Sequence, residues 1–141
     1  NQLCPPYPSC VEDYVGEQDV SNCEGVVELW GKYYSIENTD SLNLSFNQLT
    51  GSIPPEIGSL TNLTYLNLGY NELTGEIPPE IGNLTNLTYL SLWNNELTGI
   101  IPDEICNQGD SSPSLSYNQL CPPYPSCIED YVGTQDTSDC D

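Results

Sequence analysis

Apolar residues recur along the middle of the chain with a period too long for one helix or one strand. Leu60, Leu63, Leu66, Leu68, Leu73, Ile77 and Ile81 are followed at the same offsets by Leu84, Leu87, Leu90, Leu92, Leu97, Ile101 and Ile105, so the unit is 24 residues. Asp40 to Ser59 is an earlier, shorter copy, and Ser112 to Leu120 a last partial one. Within each unit the Leu-x-Leu pairs alternate in and out, which predicts short parallel strands. One unit cannot bury its apolar side alone, so neighbours must stack as successive coils. Asn47, Asn71, Asn95 and Asn118 then fall at one corner of the coils, where a side-chain amide satisfies backbone groups freed by the turn. Gly51, Gly75 and Gly99 permit a tight bend, and the Ile-Pro steps at Pro54, Pro78 and Pro102 stop a long helix from following.

The pattern Leu-x-x-Leu-x-Leu-x-x-Asn-x-Leu-x-Gly-x-Ile-Pro covers residues 40 to 120. It resembles the plant-specific subtype of leucine-rich repeat proteins, a subtype that also occurs in bacteria. The resemblance implies a right-handed solenoid with a parallel sheet on the concave face, loops and 3-10 turns on the convex face, and protein or glycan binding as the usual activity. The fold class expected is therefore an α/β-type repeat solenoid that is mostly β, closed by cysteine-stapled caps.

The flanks depart from the repeat. Residues 24–39, with Val26, Val27, Leu29, Trp30, Tyr33, Tyr34 and Ile36, read as an N-terminal cap over the open end of the first coil. Residues 40–120 are three full coils and a partial one, and residues 121–141, with Pro122, Pro123, Tyr124, Pro125 and Tyr131, read as a C-terminal cap leading toward a next module. Residues 1 to 23 return as residues 118 to 140 with 19 of 23 positions identical, a period of 117. Residues 1–23 thus read as the C-terminal cap of a preceding module, and the chain as a window on a longer tandem array or a processed unit of one.

Cysteine usage agrees with that organisation. Seven cysteines in 141 residues point to an oxidising, extracellular setting. Cys106, Cys121, Cys127 and Cys140 form a set of four, and Cys4, Cys10 and Cys23 are the same set without its first member. Four cysteines allow three pairings; the reading favours Cys106 with Cys121 and Cys127 with Cys140 while leaving the others open. Their spacings are not those of zinc motifs and histidine is absent, so disulfides are expected in place of metal. With 21 acidic residues against one cation, Lys32, the net charge of −20 disfavours nucleic acid and anionic membranes as partners. No stretch approaches the roughly 20 apolar residues of a membrane span.

Several constellations are candidates for function. Beside the inward leucines, Asn43, Ser45, Tyr65, Asn67, Tyr89, Ser91 and Trp93 are expected to be exposed on the concave face, with Phe46, Tyr70 and Tyr117 at its edge. Aromatic rings beside amides suit sugar or peptide recognition, although cross-strand aromatic pairs also stabilise a sheet without any ligand. Sequons place N-glycosylation candidates at Asn43, Asn62, Asn83 and Asn86, of which Asn43 would carry its sugar on the concave face. Glu56, Glu80 and Glu104 share one position, a repelling ladder that Ca²⁺ or salt would relieve, but no calcium loop is present and no cofactor is expected. Thr50, Thr74 and Thr98, with Thr61 and Thr85 and with Thr64 and Thr88, form short threonine ladders of the kind that bind ice.

Catalysis finds little support. Without histidine or arginine, neither a nucleophile–histidine pair nor an arginine clamp on phosphate can be built, and the adjacent acids Glu12 with Asp13 and Asp103 with Glu104 have no evident cleft. A non-enzyme is expected. The sequence favours an extracellular structural protein whose modules assemble head to tail, with itself as partner, into a glycosylated rod or fibril. The alternative is an adhesin or receptor-type module that recognises a glycan or cell-surface protein on its concave face.

Overall fold

The computed structural model describes residues 25–141. The segment read as the cap of a preceding module, with Cys4, Cys10 and Cys23, lies outside the described residues. Strands β1 (Val26–Leu29) and β2 (Lys32–Ser35) pair antiparallel around a turn at Trp30 and Gly31, both of which have positive φ. Leu29 enters the hydrophobic core from this hairpin, and Val27, Trp30, Tyr34 and Ile36 pack against it.

Each repeat unit then makes one coil. The first side carries β3 (Ser41–Asn43), β5 (Tyr65–Asn67) and β7 (Tyr89–Ser91), paired parallel in that order. Leu42, Leu66 and Leu90 stand in register and point inward, as the alternation requires. Past the asparagine corner a second side carries β4 (Thr50–Gly51), β6 (Glu72–Gly75), β8 (Glu96–Ile100) and β9 (Gln119–Cys121), also parallel. This second sheet is not among the elements read from the sequence. Its strands are two to five residues long, and each contains a glycine at positive φ or leads into proline, so no alternating pattern announces it. β9 also carries the last coil to Cys121, inside the segment read as cap.

The third side is a column of 3-10 turns, Pro55–Ser59, Pro79–Asn83 and Asp103–Asn107, each entered from an extended proline. Glycine is required here by close approach. A Cβ on Gly58 would lie 2.6 Å from the carbonyl oxygen of Glu80, and one on Gly82 would lie 2.6 Å from that of Glu104. In the next coil the same place holds Cys106, where no further repeat turn stacks and a side chain has room. All fourteen apolar residues named for the two complete units are at most 2% exposed. Burial at about 1.5–3 kcal/mol per side chain holds each coil to its neighbours, against the entropy of ordering it.

The disulfides differ from the pairing the sequence favoured. Cys106 joins Cys127 and Cys121 joins Cys140, with Cα separations of 5.8 and 5.6 Å. Cysteines adjacent in sequence do not meet because Cys106 lies in the last repeat turn on the third side while Cys121 ends β9 on the second. Each therefore reaches a later segment that folds back, and Ile128 and Val132 from that segment close the core.

Candidate functional site

The asparagine corner sets the geometry of everything beside it. Asn95 donates through Nδ2 to the carbonyls of Leu68 and Leu92 at 3.0 and 3.1 Å, and its Oδ1 accepts from the Leu73 N–H at 3.1 Å. Asn71 and Asn118 do the same one coil earlier and one coil later. Asn47 is different. Its amide donates to the Ser45 carbonyl and stays exposed, and among the described residues the element beside it is the β1–β2 hairpin in place of a repeat coil. The ladder ends on a residue that the sequence reading missed: Gln135 Oε1 accepts from Leu120 N, and its Nε2 donates to Leu115 and Val132. Its longer side chain, coming from the segment after β9, performs what asparagine performs within a coil. Asp110 was missed too; its buried carboxylate accepts the Leu90 N–H at 2.8 Å.

On the first sheet, Ser41, Tyr65 and Tyr89 occupy one register position, and Asn43, Asn67 and Ser91 the next outward one. The rings of Tyr65 and Tyr89 stack at 4.7 Å with planes 8° apart. Asn67 is committed within its own coil, accepting from Gly69 N at 2.9 Å and reaching toward the Tyr65 hydroxyl. Ser91 corrects the expectation of exposure: it is buried, and a Cβ on Gly69 would lie only 3.3 Å from its hydroxyl oxygen. Packing between coils closes over it.

A second and longer row of rings runs alongside. Phe46 and Tyr70 stack at 4.2 Å, Tyr70 meets Trp93 edge-on at 4.4 Å, and Trp93 meets Tyr117 edge-on at 5.5 Å. Phe46, Tyr70 and Tyr117 all have φ between 53° and 59°, a left-handed conformation that bulky residues rarely adopt. The equivalent place in the third coil is Asn94, the cheaper residue there, and Trp93 supplies the missing ring from one position earlier. Strain of this kind persists where surrounding structure holds it, and it concentrates at binding sites. None of these outward residues carries a charge, although the chain carries −20.

The other candidates separate. Thr50, Thr74 and Thr98 do not face one another, since the second sheet is sheared and sets them opposite Glu72, Glu96 and Gln119. Thr64 and Thr88 donate their hydroxyls to the carbonyls of Asp40 and Thr64 in the preceding coil. Glu56, Glu80 and Glu104 sit in the first turn of successive 3-10 segments, and among the described residues no cluster of three potential ligands is placed to hold a metal. Among the sequons, the Asn62 and Asn86 amides donate to Glu37 and Thr61 carbonyls and Asn43 Oδ1 accepts from Ser45, whereas exposed Asn83 makes no side-chain hydrogen bond among the described residues.

Stacked coils with parallel strands, an asparagine ladder and 3-10 turns define a leucine-rich repeat solenoid. The family of leucine-rich repeats in two copies matches residues 40–79 and 61–103. No curated protein matches the chain. Among solved structures, the chain is similar to the plant peptide hormone receptor RGFR1 in complex with RGF2, at 48% identity and a TM-score of 0.59 over 62% of this chain and 14% of that one. It is similar to a plant ice-binding protein at 45% identity and a TM-score of 0.55, over 60% of this chain and 27% of that one. The BIR2 ectodomain from Arabidopsis thaliana shares 32% identity and a TM-score of 0.59 over 69% of this chain and 57% of its own. The chain thus spans less than two thirds of the length of each. The BIR2 neighbour is an ectodomain, and this sequence is poor in catalytic groups. Among the described residues no helix is long and apolar enough to cross a membrane.

Proposed function

We propose that the chain is an extracellular binding module of the receptor-ectodomain kind, and that the first sheet with its two rows of aromatic rings is the recognition surface. The observation that carries this reading is the uncharged strip of rings, of which Phe46, Tyr70, Tyr89 and Tyr117 are exposed while Tyr65 and Trp93 are half-buried, with three held in left-handed backbone, on a molecule that is otherwise strongly acidic. Aromatic side chains supply large contact area at low entropic cost, and a strip without charges demands no desolvation of ions. The similar structure of the plant peptide hormone receptor RGFR1 in complex with RGF2 supports the same class of use. Two disulfides support an oxidising compartment, and Asn43 and Asn83 are the exposed sequons whose side-chain nitrogen donates no hydrogen bond among the described residues. The test is selection of binders from a neutral-glycan array and a displayed peptide library, followed by replacement of Tyr65, Tyr89 and Trp93 with alanine. Loss of binding with an unchanged circular dichroism spectrum is expected. Binders that tolerate all three replacements would sink the proposal.

A second reading, head-to-tail assembly with other copies, rests on the near-identity of residues 1–23 and 118–140. It expects filaments by electron microscopy, and a monodisperse particle at high concentration would exclude it.

A further inference from the structure

Where the row of rings ends at Tyr117, a cleft of about 300 Å³ opens between the last coil and the cap, lined by Tyr117, Asn118, Gln119, Thr134, Gln135 and Asp136. We propose that this cleft is a subsite for one neutral sugar residue of a glycan; the proposal rests on the recognition strip above and names its ligand class. The volume stands at the lower end of the roughly 300–1,000 Å³ of small-ligand sites.

The lining divides into two kinds of group. Asn118 and Gln135 have every amide atom spent on the ladder and form a rigid wall. Tyr117, Gln119 and Thr134 make no side-chain hydrogen bond among the described residues, and Asp136 accepts through Oδ1 from Ser138 N at 3.1 Å with most of its lone-pair sites left over. The free set is therefore a phenol, an amide and an aliphatic hydroxyl, each both donor and acceptor, beside one carboxylate that only accepts. Sugar hydroxyls, which donate and accept in neighbouring pairs, are the complement of that mixture. The C–H face of a pyranose has its counterpart in the Tyr117 ring, which is 54% exposed.

Charge narrows the ligand further. Asp136 is held ionised by its hydrogen bonds to Ser138, and the chain's single cation, Lys32, is in β2 at the opposite end of the order of elements. Uronic acids, sulfated sugars and phosphates would meet a carboxylate with nothing to offset it. A neutral glycan meets no such penalty and continues along the uncharged strip toward Trp93.

The experiment is a titration of the full, isotopically labelled chain with cellotetraose, laminaritetraose, chitotetraose and mannotetraose, followed by NMR. The expected result is movement of the Gln119 side-chain amide and of the Thr134 and Asp136 backbone amides, with a dissociation constant of about 1 mM or tighter for at least one sugar. Asp136→Ala and Gln119→Ala should each weaken that binding about tenfold, and Glu104→Gln, on another side of the coil, should leave it unchanged. Shifts confined to Tyr65, Tyr89 and Trp93 would overturn the subsite while leaving the recognition strip standing. Silence toward all four sugars, or response of the cleft to a lysine-rich peptide alone, would overturn the ligand class.

Discussion

Asn95→Ala and Asn47→Ala make the same chemical change at the same repeat position, and the structure predicts that they differ several-fold. The Asn95 side chain is 8% exposed and makes three hydrogen bonds, to the Leu68 and Leu92 carbonyls and from the Leu73 N–H. At about 1 kcal/mol net for each bond, removal costs about 3 kcal/mol, and more where the orphaned backbone groups stay dry. The Asn47 amide makes one exposed bond to Ser45, and water replaces it at a cost below about 1 kcal/mol. Urea unfolding followed by circular dichroism measures both. With a slope of about 1–3 kcal/mol per molar urea, the Asn95 variant should lose about 1 M or more in midpoint and the Asn47 variant a fraction of that. Equal losses would refute the idea that the ladder draws its strength from bonds between coils, and would leave local turn propensity as the cause.

Gly82→Ala should destabilise by about 1–3 kcal/mol through the clash with the Glu104 carbonyl, while Gly51→Ala, which meets no atom within 4 Å, should cost only the strain of its positive φ; thermal melts distinguish them. Non-reducing peptide mapping should recover Cys106 linked to Cys127 and Cys121 linked to Cys140. Replacing the Cys106–Cys127 pair by serines should cost about 3 kcal/mol for its separation of 21 residues, and recovery of Cys106 joined to Cys121 would contradict the fold of the C-terminal segment. The carboxyl of Asp136 should titrate below its ordinary 3.8, because Ser138 hydrogen-bonds its charged form. Since the folded pKa is depressed, the associated stabilisation is present above the unfolded pKa and fades as pH falls through the folded one; Ser138→Ala should raise the NMR midpoint, and an unchanged midpoint would remove Ser138 as the cause.

What the sequence determined by itself is the coil. Leucines and isoleucines at fixed offsets, asparagine at the corner and proline after the bend specify short-range geometry, and repetition makes neighbouring coils bury one another, so local pattern and global packing coincide. The inward residues of the stacked coils were therefore legible in the letters. Whatever depends on where one coil's end meets something unlike itself was not. The disulfide pairing followed from which side of the last coil each cysteine stands on. Gln135 completed the ladder from a segment without repeat pattern, and the shear of the second sheet set threonines against Glu72, Glu96 and Gln119. Periodicity records which way a residue faces within its own coil, whereas contacts across coils depend on register, and register is decided when the coils pack.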